Sequence, residues 1–74
     1  MKRYDNLSGD SGVAAYEIRR GAIVVEFVDG AAYLYTDASA RAGRIAEMQR
    51  LAEAGRGLST FISRAQPEYA KRLR

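Results

Sequence analysis

The chain has 74 residues, a formal net charge of +3, and neither cysteine nor histidine. That length allows one small domain with a limited buried surface. The missing thiols and imidazoles exclude a disulfide framework, a Cys/His zinc site and histidine-based acid–base chemistry. The charge is uneven: residues 1–40 hold four basic and six acidic groups, net −2, whereas residues 41–74 hold eight basic and three acidic groups, net +5. Such asymmetry points either to an anionic partner or to a solvated helix surface.

No apolar run approaches the roughly 20 residues of a membrane-spanning helix. Residues 1–6 begin with basic groups but lack the apolar stretch of a signal peptide. A cytoplasmic protein without a membrane partner is expected. Residues 1–10 show no period and read as a flexible lead-in to a single domain over 11–74.

The first strand is expected at residues 13–18, with Ala14, Tyr16 and Ile18 on one face and Val13, Ala15 and Glu17 on the other. Arg19, Arg20 and Gly21 turn the chain into a second strand rich in β-branched and aromatic residues: Ile23, Val24, Val25, Phe27 and Val28. Val28, Asp29 and Gly30 suit a three-residue hairpin loop with Gly30 left-handed. That loop opposes Val25 to Tyr33 and Ile23 to Tyr35, placing both tyrosines on the apolar face. A two-residue Asp29-Gly30 turn would instead oppose Tyr33 to Glu26 and send Leu34 to the core. The expected architecture is α+β: a three-stranded antiparallel meander with two or three short helices on one face. Val24 and Val28, with Val13, would then lie in water on the other face.

Asp37 or Ser39 supplies an N-cap for a helix running from Ala40 to about Ala54. Ile45, Met48, Leu51 and Ala52 form its apolar stripe, which is core and not a cofactor site. Gly43 weakens this helix, and close packing on the sheet would account for it. Gly55 or Gly57 ends it. A second helix over residues 58–64 turns Leu58, Phe61 and Ile62 inward. After Gln66, the segment from Pro67 reads either as a last helical turn or as a mobile basic tail.

The order of these short motifs resembles the KTSC domain, a small domain named for its occurrence at the C-terminus of some lysyl-tRNA synthetases and found also as a stand-alone bacterial or phage-type protein. The residues that carry the resemblance are Ser11, Val13, Ala15 and Tyr16, then Ile23, Val25, Phe27 and Gly30, the central Tyr33 and Tyr35, and the late Gly57, Phe61 and Ile62. It spans roughly residues 11–73. It implies an RNA-binding role and no enzymatic activity, and it draws attention to Tyr33 and Tyr35; no cofactor is expected. Leu34 stands between these tyrosines where family members often carry a polar residue.

The candidate contact residues follow from chemistry as well. Tyr33 and Tyr35 are either stacking platforms for unpaired bases or core-rim residues. Arg41, Arg44, Arg56, Arg64, Lys71, Arg72 and Arg74 could meet phosphates, with the last three the best single patch. Glu47 and Glu53 partly neutralise Arg50 and Arg56 at i, i+3 spacing. Ser59, Thr60 and Ser63 have no base beside them, so no catalytic or metal-binding residue is assigned. The favoured function is a small non-catalytic nucleic-acid-associated module with RNA or a nucleoprotein as partner. The alternative is a protein-interaction module, such as a phage or mobile-element inhibitor, docking or forming a homodimer through its sheet face or edge.

Overall fold

The computed structural model describes residues 1–7, 9 and 11–74. The architecture is α+β, with an antiparallel sheet and helices packed on one of its faces. The strands are β1 (Lys2–Arg3), β2 (Val13–Arg19), β3 (Ala22–Phe27), β4 (Ala32–Thr36) and β5 (Lys71–Arg72), paired in the order β1-β2-β3-β4-β5. The helices are α1 (Asp37–Ala40), α2 (Ala42–Ala54) and α3 (Leu58–Ala65). The expected meander is therefore the centre of a wider sheet, extended by a two-residue strand at each edge.

The hairpin between β3 and β4 sets the register. Gly30 donates its N–H to Phe27 O (2.9 Å) and Phe27 donates to Ala31 O (2.8 Å). Gly30 has φ +93°, a conformation glycine adopts without Cβ strain. This three-residue loop pairs Val25 with Tyr33 and Ile23 with Tyr35, so both tyrosines join the apolar face. In β2 a bulge between Val13 and Ala15 displaces Ala14. Val13 and Tyr16 then both reach the core, which corrects the strict alternation expected for this strand.

The core is a single layer between sheet and helices. Val13, Tyr16, Ile23, Val25 and Tyr35 pack against Ala40, Ile45, Met48, Ala52 and Leu58. Leu51, Phe61 and Ile62 complete its rim half-buried. Each fully buried Val, Leu or Ile side chain contributes about 1.5–3 kcal/mol, so these few residues supply most of the driving force.

Four expectations change. First, residues 1–7 are not a frayed lead-in. Lys2 and Arg3 pair with Tyr16 and Ala15, Tyr4 is buried, and its N–H donates to Ala14 O (3.0 Å). The Tyr4 hydroxyl accepts the Leu58 N–H at the start of α3 (3.3 Å). Second, the helix cap is Thr36 and not Asp37 or Ser39. Ser39 N–H donates to Thr36 Oγ1 (3.1 Å) and Thr36 N–H to Ser39 Oγ (3.0 Å), a reciprocal capping box. The helical stretch then breaks at Arg41, whose φ of +80° separates α1 from α2.

Third, Val24 and Val13 are buried, and only Val28 is exposed, at 71 %. Val24 sits mid-row in the central strand, paired with Glu17 on β2 and Leu34 on β4. Fourth, the segment from Pro67 is neither helical turn nor tail. Pro67 is buried, Ala70 N–H donates to Leu34 O (2.7 Å), and Lys71 and Arg72 pair with Leu34 and Tyr33. Leu73 N–H and Ala32 N–H then bond Ala32 O (2.7 Å) and Arg74 O (3.0 Å), respectively.

Two glycines in and after α2 predict opposite outcomes for one substitution. A Cβ at Gly43 would meet nothing within 4 Å, so no close approach requires glycine there. Gly43→Ala is expected to raise unfolding stability by about 1 kcal/mol through helix propensity. Gly55, by contrast, caps α2 at φ +75°, and a Cβ there would lie 2.7 Å from Asp5 Cβ. Gly55→Ala should cost at least about 1–2 kcal/mol. Urea unfolding of the two variants checks both signs.

Candidate nucleic-acid interface

The tyrosine pair divides. Tyr35 is only 4 % exposed within the core, so it offers no face to a base. Burial, followed by the neighbouring Tyr33 and Tyr69, pushes its phenol up to about 12. Tyr33 is half-buried at the core rim. Its ring meets Phe27 edge-on, with centroids 5.9 Å apart. Tyr69 lies against it at 4.7 Å with a 47° tilt, and the Arg72 guanidinium carbon stands 5.6 Å from its centroid. The surroundings of Tyr33 are thus filled by Phe27, Tyr69 and Arg72.

The basic residues are spread over several elements. Arg41 and Arg44 lie at the start of α2, Arg56 in the α2–α3 connection and Arg64 in the last turn of α3. Lys71, Arg72 and Arg74 share the C-terminal strand and its end, and of these Arg72 stands beside Tyr33. The three differ. Arg74 is bound to Glu26 (Nη2–Oε2 2.8 Å). Arg72 donates from Nε to Arg74 O (3.0 Å), and its terminal N–H groups have no partner among the described residues. Lys71 has no ion pair among those residues and pairs opposite Leu34, so it projects on the other side of the sheet from Arg72.

Elsewhere, Arg50 is held by Glu47 at i, i+3 (2.6 Å), as expected, and Arg19 by Glu17 (2.6 Å). Hydrogen bonding to these guanidinium groups lowers both carboxyls from the ordinary range. Both pairs are exposed and of small energetic weight. Glu53 and Arg56, expected as a pair, form none.

Tyr69 is the residue that reading the chain missed. It is 52 % exposed, yet it contacts Tyr33. The signal was present in the sequence as an aromatic residue just ahead of Lys71 and Arg72. The expectation of a mobile tail concealed it, because a mobile ring has no fixed neighbours. Among the described residues no concave pocket opens on the surface, no cluster of His, Cys, Asp or Glu could hold a metal ion, and no helix is long and apolar enough to cross a membrane.

Comparison of the chain with protein-family models, with curated proteins and with solved structures returns no match in any of the three.

The buried phenol makes a pH prediction. Tyr35 is neutral in the folded protein well beyond the ordinary value of 10.0, so the unfolded chain releases this proton first as pH rises. Its contribution to stability is intact below pH 10.0 and is lost as pH climbs towards about 12. Unfolding stability should fall across that window, and less steeply in Tyr35→Phe. Denaturant titrations in steps of alkaline pH, with phenolate absorbance recorded in parallel, check the sign.

Proposed function

We propose that the chain is a small non-catalytic nucleic-acid-associated module that meets the RNA phosphate backbone through its C-terminal strand. The observation that carries this reading is the pair Lys71 and Arg72. Both are exposed and neither has an ion pair among the described residues. Both are also fixed in place by backbone pairing to β4. Cations held on a strand spend little conformational entropy on binding compared with a floating tail. Their phosphate contacts release counterions and give sequence-independent affinity. The +5 balance of residues 41–74 supports the same reading, as does the KTSC resemblance.

The protein-interaction alternative rested on an uncovered apolar face and an open sheet edge. With Val24 buried and each edge of the sheet formed by a two-residue basic strand, it has less support, because short charged edges discourage strand addition. Arg41, Arg44, Arg56 and Arg64 are secondary in this proposal and add general electrostatic attraction.

The test is RNA affinity against salt. Binding to a short single-stranded RNA should weaken steeply as salt rises. Lys71→Ala with Arg72→Ala should lower the log–log salt slope by about 1.4, the loss of two single-strand phosphate contacts. Arg44→Ala should change the slope much less. Affinity that is flat across salt, or unaffected by the double substitution, overturns the reading.

A further inference from the structure

Resting on that reading, we infer that the exposed ring of Tyr69 is a stacking platform for one unpaired base, so that the C-terminal strand selects single-stranded over duplex nucleic acid. Phosphate contacts alone do not make this distinction, since a duplex also presents phosphates to Lys71 and Arg72. An exposed aromatic face does, because bases inside a duplex are already stacked on each other.

The chain has seven aromatic residues, five Tyr and two Phe. Tyr4, Tyr16 and Tyr35 are buried, and Phe27, Tyr33 and Phe61 are half-buried. Tyr69 is the one exposed ring. It is also backed. Tyr33 lies behind it at 4.7 Å, and Tyr33 is in turn braced by Phe27 at 5.9 Å. Its backbone is pinned on both sides, by buried Pro67 before it and by the Ala70 N–H to Leu34 O bond after it. A ring on a mobile segment would lose freedom on binding, whereas this one is already placed.

The charge beside the ring fits the same ligand. Arg72 lies on the Tyr33 side of the strand, where Tyr69 packs, and Lys71 projects from the opposite side, so a single strand whose base stacks on Tyr69 meets Arg72 on the same side and Lys71 where it rounds the edge. Glu68, exposed next to Tyr69, opposes a phosphate there and limits affinity. The shared chemistry is an unpaired nucleobase with its flanking phosphates. RNA and DNA single strands both present it.

The experiment measures fluorescence anisotropy of labelled short single strands, oligo-U and oligo-dT, and of a duplex of equal length, at one low salt concentration. The wild type should bind the single strands more tightly than the duplex. Tyr69→Ala should weaken single-strand binding by about 5- to 150-fold while leaving duplex binding within about twofold. Tyr69→Phe should retain single-strand affinity, and Tyr69→Leu, which keeps apolar volume over Tyr33 but removes the π face, should lose it. Thermal melts of Tyr69→Leu and Tyr69→Phe show that the fold is kept. Glu68→Gln should strengthen binding of both single strands.

Equal affinity of Tyr69→Leu and wild type for single strands overturns the stacking site. If Lys71→Ala with Arg72→Ala still weakens binding in that case, the nucleic-acid reading survives without it. Equal wild-type affinity for duplex and single strand also overturns the inference alone. No binding to any of the three probes overturns both. Preference for oligo-U over oligo-dT with the same Tyr69 dependence keeps the site and assigns it to RNA, and the reverse assigns it to DNA.

Discussion

The pairing of Ile23 with Tyr35 and Val25 with Tyr33 is the constraint on which the rest of the molecule depends. Strand side chains alternate, so a one-residue slip would turn Tyr35 out of the core and bring Leu34 in. The core layer would then lose a large aromatic body for a smaller aliphatic one, and the C-terminal strand would meet a different face of β4. One backbone position prevents this. Gly30 in the left-handed region completes a three-residue loop, and that loop length decides which residues oppose each other. The placement of Tyr69 and Arg72 beside Tyr33 is a consequence of that turn, some forty residues earlier in the chain.

The elements that could be read from sequence are those with strong local signals. The β3–β4 hairpin has β-branched and aromatic residues around a turn glycine. Helix α2 has Ile45, Met48 and Ala52 at helical spacing and a glycine stop. Helix α3 shows Leu58, Phe61 and Ile62 at i, i+3, i+4. The elements that could not be read draw their stability from elsewhere. Lys2–Arg3 and Lys71–Arg72 are too short to show a period and are made of residues with weak strand preference. They become strands because β2 and β4 offer open edges and because Tyr4 and Pro67 are buried beside them. Tertiary context overrides local propensity at both ends of the chain.

Smaller errors have similar causes. Thr36 lies inside the helix-start stretch 36–39, but it also ends β4, so the cap falls one residue before the first of the two expected positions. Arg41 breaks the helix at a positive φ that its residue type does not announce. The bulge in β2 has no glycine to mark it, so Val13 looked solvent-facing when it is core. For the candidate site, the cations were legible as residues but not as a group. Arg41, Arg44, Arg56 and Arg64 fall on different elements and connections: the α1–α2 break, the start of α2, the α2–α3 connection and the end of α3. The C-terminal strand sets a basic side chain beside an exposed aromatic ring, Arg72 and Tyr69 both meeting Tyr33.

The two edges of the sheet serve as controls for each other. Both end in a pair of basic residues, and on both the charge deters another strand from adding to the sheet. If edge protection were the whole role of Lys71 and Arg72, their surroundings would resemble those of Lys2 and Arg3. They do not. Beside β1 the aromatic residues Tyr4 and Tyr16 are buried, and Tyr4 spends its hydroxyl on the Leu58 N–H. Beside β5, Tyr69 is half in solvent, supported from behind by Tyr33 and Phe27 and flanked by Arg72. Blocking an edge requires charge but no exposed ring, and leaving an aromatic side chain half in water has a free-energy cost. The feature that separates the two edges is therefore the one that edge protection does not explain, and it is the feature an unpaired base would use.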